Sequence, residues 1–107
     1  MARRSKYNAC RTQLNNRQFA SKGEAERFQQ LALLVAAGEI SDLVCQPSFP
    51  LVVAGKPICI YRADFRYIED GRRVVEDFKG FKTSAYRIKS NLFQAHYPEY
   101  DFRETSK

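Results

Sequence analysis

The sequence predicts an α/β chain of the α+β kind, with elements in the order α-β-β-β-α-β. Three observations predict it. Asp70-Gly71 sits between two β-rich runs, Ile58 to Ile68 and Arg73 to Phe81, a strong short-range signal for a tight hairpin. Ser21-Lys22-Gly23-Glu24 is a capping box, with Ser at the N-cap and Glu three residues on. Thr83 or Ser84 can cap a second helix whose apolar stripe is Ile88, Leu92 and Ala95.

Taken in order, residues 1–20 form a basic N-terminal arm in which Arg3, Arg4, Lys6, Arg11 and Arg17 are interleaved with Tyr7 and Phe19. Such an arm either tracks a phosphate backbone or is a frayed terminus. Residues 21–107 then make one domain. Its first helix runs to about Ala37 and ends at Gly38. Glu24, Phe28, Leu31 and Val35 form its inward stripe, which puts Glu24 at the N-terminal end of the packed face, while Glu26 points elsewhere. Glu39 to Gln46 reads as a connector. Pro47 and Pro50 suit the start of an edge strand, over Phe49 to Val53, and Ala54 to Pro57 turns the chain into the hairpin. The second helix runs to about His96, Pro98 follows, and Tyr100 to Glu104 is a short last strand.

With Asp70 and Gly71 as the central turn residues, Phe65 faces Glu76, Asp64 faces Asp77 and Arg62 faces Lys79. Alternation then puts Asp64, Asp77 and Lys79 on one face of the sheet, with Arg62, Arg66 and Arg73. Tyr61, Ala63, Phe65, Tyr67, Val74 and Phe78 make the other face the expected core. Two carboxylates directly opposite each other repel. A divalent cation between them would reverse the sign of that interaction, because hard cations such as Mg²⁺ choose carboxylate oxygens. The alternative is an ordinary solvated polar face.

Composition narrows the partners. The 107 residues carry 18 Lys and Arg against 12 Asp and Glu, for a net charge of +6, which favours a polyanionic partner. Lys82 just before a helix N-terminus suits a phosphate contact, and Thr83, Lys89 and Arg87 lie close behind it. Ordinary solvated helix surface is the other account of these residues. His96, the only histidine, suggests no role beyond the helix end. Cys10, Cys45 and Cys59 are scattered, without a C-x-x-C pair, and suit three reduced thiols in an intracellular protein. No apolar h-region follows the basic start and no run spans a bilayer, so the expectation is a soluble cytoplasmic protein without membrane attachment.

The residues also carry a resemblance. From Lys6-Tyr7-Asn8-Ala9 through Ser21 to Glu26, Ala63-Asp64-Phe65 and Glu76 to Thr83, the sequence resembles the PD-(D/E)XK nuclease superfamily. Within it, the chain is similar to small, largely phage- and prophage-encoded proteins described as endonucleases. The superfamily core is a restriction-endonuclease-like α-β-β-β-α-β unit, a mixed central sheet flanked by helices. The motif positions fall on Glu24, Asp64, Asp77 and Lys79; Ala63 stands where the motif's name has Pro. The resemblance implies Mg²⁺, with Mn²⁺ able to substitute, held by Asp64, Asp77 and the Phe78 backbone carbonyl, and by Glu24 directly or through water. Lys79 would position the attacking water or stabilise developing charge. The implied substrate is DNA, the implied functional relatives are Holliday-junction resolvases and phage junction endonucleases acting as homodimers, and no small-molecule cofactor is implied. A non-catalytic nucleic-acid-binding protein on the same fold is the rival.

Overall fold

A computed structural model describes residues 21–106. The basic arm of residues 1–20, with Arg3, Arg4 and Lys6, lies outside the described residues. Helix α1 (Lys22–Ala36) starts as its capping box dictates, with the Ser21 hydroxyl accepting from the Glu24 N–H at 3.1 Å. It ends at Gly38, whose φ of +79° is the left-handed conformation that releases a chain from a helix. The strands are β1 (Ser41–Cys45), β2 (Ser48–Val53), β3 (Lys56–Arg62), β4 (Phe65–Glu69), β5 (Arg72–Phe78) and β6 (Asp101–Thr105). Helix α2 (Ser84–His96) lies between β5 and β6, with Thr83 as its N-cap.

The fold is α+β. Strands β1-β4-β5-β6 form a mixed sheet in that order, antiparallel except for the parallel β5–β6 pair. Parallel neighbours need a crossover, and α2 supplies it. Strands β2 and β3 make a separate antiparallel pair. Following the mixed sheet alone along the chain gives α1-β1-β4-β5-α2-β6, the predicted order of element types, but β1 takes the place expected of the Phe49–Val53 strand, which lies in the separate β2–β3 hairpin.

The central hairpin has the predicted register, Phe65 opposite Glu76 and Glu69 opposite Arg72. Asp70 and Gly71 both take positive φ, 52° and 75°, as a twist-matched two-residue turn requires. Two expectations need correction. The Ile58–Ile68 run is two strands, broken at Ala63-Asp64, and β3 leaves the mixed sheet to pair with β2. Arg62 therefore faces Ser48, not Lys79. The presumed connector contains β1, in which Leu43 and Cys45 are buried behind an irregular start where Asp42 has φ of 55°. The third strand ends at Phe78, opposite Thr105, and Gly80 to Thr83 leave it as the sequence predicts.

The predicted single core face is also corrected, since β5 is buried on both sides. Beneath α1, Phe28 and Leu31 pack with Leu43, Phe65, Tyr67 and Val74. On the opposite face, Val75 packs with Phe49, Leu51, Tyr61, Ala63 and Phe93. Phe93 of α2 stacks among Phe49, Tyr97 and Tyr100 with ring centroids 4.8 to 5.9 Å apart. Such pairs add about 0.5–1.5 kcal/mol each beyond the area they bury, and they fix α2 and the β2–β3 hairpin over the face that carries Asp77. Among the described residues no helix is long and apolar enough to cross a membrane.

Candidate active site

Asp64 occupies the bend where the chain passes from one sheet to the other. The Ala63 N–H donates to the Pro47 carbonyl at 3.1 Å, and the Gln46 N–H donates to the Asp64 carbonyl at 2.8 Å. These bonds tie the bend to the β1–β2 link. The Asp64 side chain then reaches across to β5, where Oδ2 accepts from the Phe78 N–H at 2.7 Å. A backbone donor at the end of the strand is thereby satisfied, and the carboxylate is held beside Asp77.

Asp77 is fully buried. Its Oδ2 accepts from the Tyr61 hydroxyl, while no hydrogen-bond donor among the described residues reaches Oδ1. The Lys79 ammonium stands 3.9 Å from Oδ1. Burial pushes the Asp77 pKa up to about 8, and the negative charge of Asp64 pushes it the same way. The Tyr61 hydrogen bond and the Lys79 charge oppose them. Near neutral pH the carboxylate pair therefore holds a proton unless a cation replaces it. Lys79 is itself fixed: its N–H donates to the Thr105 carbonyl at 2.9 Å, and its ammonium lies 4.7 Å from the centre of the Tyr86 ring.

Two adjoining carboxylates, one with a buried oxygen lacking a donor, suit a hard divalent cation. Mg²⁺ is commonly held by only one or two protein carboxylates and keeps several waters. Among the described residues no group of three or more His, Cys, Asp or Glu side chains is assembled to hold a metal. Asp64 and Asp77 would be the protein carboxylates. The structure thus brings together Asp64, Asp77 and Lys79. Glu24 is buried at the start of α1. Its helix end lies over the end of β5, since a Cβ on Gly23 would come within 2.5 Å of the Phe78 ring. That contact is why glycine precedes Glu24.

The expected phosphate contacts are placed variously. Lys82 pairs with Glu104 at 3.0 Å and remains part exposed. The Thr83 hydroxyl is engaged as a cap, accepting from the Tyr86 N–H at 3.0 Å. Lys89 is half-buried, while Arg87 is exposed and borders, with Lys82, Asn91 and Gln94, a cleft of about 370 Å³ between α2 and β6. His96 accepts from the Val52 N–H at 3.1 Å, joining α2 to the hairpin. Cys59 carries a free thiol, but Cys45 is disulfide-bonded. That corrects the expectation of three reduced thiols, and Cys10 lies outside the described residues.

Three groups were invisible to sequence reasoning. Tyr61 meets Asp77 only because the chain breaks at Ala63-Asp64, where no glycine or proline marks the break. Tyr86 lies under Lys79 and donates to Glu104 at 2.5 Å; this bond and the Lys82 charge hold the Glu104 carboxyl below its usual range. Glu76 is fully buried on the α1 side, accepting from Arg27 at 2.5 and 2.9 Å and from the Tyr67 hydroxyl at 2.7 Å. Burial, followed by that bond, pushes the Tyr67 hydroxyl up to about 12. No signal in the residues marked Glu76, because the coverage of β5 on both faces is not legible there.

Over residues 4–105 the chain matches the family model described as "Protein of unknown function (DUF1064)", and it belongs to that family. No curated protein and no solved structure matches it.

Proposed function

We propose that the chain is a metal-dependent endodeoxyribonuclease of PD-(D/E)XK type, acting on branched DNA such as Holliday junctions during phage or prophage DNA processing. One observation carries the reading. A fully buried Asp77 adjoins Asp64, and a lysine ammonium stands 3.9 Å from its donor-free oxygen. A buried carboxyl beside a second carboxylate, with one oxygen lacking a hydrogen-bond donor, is costly in a fold that gains nothing from it, so its retention supports chemistry. Support also comes from the α-β-β-β-α-β order of the mixed sheet and from the net charge of +6.

Under this reading Asp64 and Asp77 hold Mg²⁺, or Mn²⁺ in its place. The bound ion supplies a water of lowered pKa and neutralises charge on the scissile phosphate. Tyr61 keeps the Asp77 carboxylate turned toward Asp64. Lys79, held by Thr105 and Tyr86, orients the water and offsets charge as it develops on the phosphate oxygens. Glu24, buried at the start of α1, would join the ion directly or through water. A homodimer would present two such sites to a symmetric junction, in the cytoplasm of a bacterial or phage-infected cell.

A second reading has its own observation. Burial and the Asp64 charge raise the Asp77 pKa and so favour its protonated form, which needs no cation, and among the described residues no group of three or more His, Cys, Asp or Glu side chains is gathered. On that account the chain binds nucleic acid without cutting it. The deciding experiment incubates wild type and Asp77→Asn with a labelled four-way junction and a linear duplex, each with Mg²⁺ and with EDTA. Paired cuts in the junction alone, absent with EDTA and in the variant, are expected. Cuts in both DNAs would keep the nuclease and remove the junction preference. Binding without scission under Mg²⁺ and Mn²⁺ would leave the non-catalytic reading.

A further inference from the structure

Phe81 is 80 % exposed, the most exposed of the large apolar side chains among the described residues. Folding does not account for it. A hydrophobic staple at the start of α2 would join the residue before the N-cap to the fourth helical residue. Those positions are Lys82 and Arg87, both cationic. Phe81 thus forms no part of the helix start, and it leaves a whole ring in water on a strongly basic chain.

Its place is tightly defined. Lys79 is tied to Thr105 on one side, and Thr83 caps α2 on the other. Only Gly80, Phe81 and Lys82 lie between these anchors. Two residues of chain span at most about 7 Å, so Phe81 cannot stray far from the backbone of Lys79. Lys82 is held on the same loop by Glu104, and Arg87 stands one turn into the helix beside the cleft lined by Asn91 and Gln94.

An exposed aromatic face flanked by cations is the arrangement that holds single-stranded nucleic acid. The ring stacks on a base, cations meet the adjoining phosphates, and neither needs a particular sequence. Paired bases offer no free face to such a ring. We infer that Phe81, with Lys82 and Arg87, forms a subsite for an unstacked base next to the Asp64–Asp77–Lys79 cluster. Selectivity for a branch, gap or frayed end would then arise from the exposed base found there. This subsite deepens the nuclease reading by naming the feature of DNA that the site prefers, but its binding chemistry is independent of cleavage.

The test is therefore a binding measurement in EDTA, where no metal-dependent cutting occurs. Wild type, Phe81→Ala and Phe81→Tyr are titrated into a single-stranded oligonucleotide carrying 2-aminopurine and into an intact duplex of the same length. Phe81→Ala should weaken single-strand binding about tenfold and abolish the stacking quench, with duplex affinity unchanged within about twofold. Phe81→Tyr should bind as wild type, because its ring offers the same face. Equal losses on both DNAs, no loss at all, or no single-strand binding by wild type would overturn the inference. An unchanged thermal melt for Phe81→Ala, expected for so exposed a side chain, separates lost stacking from lost folding. The nuclease reading fails separately, in the Mg²⁺ scission assay.

Discussion

Replacing Asp77 by Asn should change how stability depends on pH more than any other single substitution. The Asp77 pKa rises from 3.8 in the unfolded chain to about 8 in the fold. A raised carboxyl contributes stability that is fully present below 3.8 and is lost as pH climbs through 8, because the folded state must then hold a buried charge. At about 1.4 kcal/mol per pH unit, the span amounts to on the order of 6 kcal/mol. That is comparable with the whole stability of many small domains, roughly 5–15 kcal/mol. Urea unfolding at steps between pH 4 and pH 9, without divalent ions, measures it directly. Wild type should lose several kcal/mol across that range, while Asp77→Asn, which keeps an acceptor for Tyr61 and cannot ionise, should be nearly flat. Asp64→Asn should give an intermediate slope, because it removes a neighbouring charge and leaves the burial. Mg²⁺ should stabilise wild type far more at pH 8 than at pH 5, since it competes with the proton on Asp77. A flat wild-type profile, or a steep one that survives in Asp77→Asn, would refute the reasoning.

Other outcomes test the surrounding structure. Tyr61→Phe removes a hydrogen bond that favours the ionised carboxylate, so the midpoint of the same pH profile should move upward; a downward shift would contradict the assigned donor. Arg27→Ala leaves Glu76 buried without its ionic partner and should cost about 3–5 kcal/mol in urea unfolding. Thr83→Ala should cost about 1 kcal/mol, seen as a fall of several degrees in Tm, with the loss confined to helix stability. Lys79→Ala should lower Mg²⁺-dependent scission about 100-fold or more and change duplex affinity only a few-fold, as a rate comparison at saturating DNA would show.

Much of this arrangement was legible in the residues. The Asp70-Gly71 turn gave the β4–β5 register because a two-residue loop with alternating flanks admits few pairings. The Ser21 and Thr83 caps located both helix starts, since a side-chain acceptor followed by an apolar stripe has one physical use. Asp64, Asp77 and Lys79 were readable as neighbours from that register. The bend at Ala63-Asp64 was not, because tertiary hydrogen bonds to residues 46 and 47 impose it and no local residue demands it. Strand β1 was hidden for a similar reason: its polar start at Ser41-Asp42 resembles a loop, and only pairing with β4 makes it a strand. The double burial of β5 could not be foreseen while the β2–β3 hairpin was merged with the central one.

The neighbouring carboxylates of β5 also protect the fold from a specific error. Glu76 points to Arg27 and Tyr67 on one side of the sheet, and Asp77 points to Tyr61 and Asp64 on the other. A slip of β5 by one residue would turn each carboxylate to the opposite face. Glu76 would lose its guanidinium, Asp77 would enter the layer beneath α1, and buried charges would lie among the wrong donors at several kcal/mol apiece. Apolar residues at both positions would have tolerated that slip, since either layer accepts hydrophobic side chains. The two acids make misaligned pairing the expensive alternative, so the strand that carries the reactive group also enforces its own alignment.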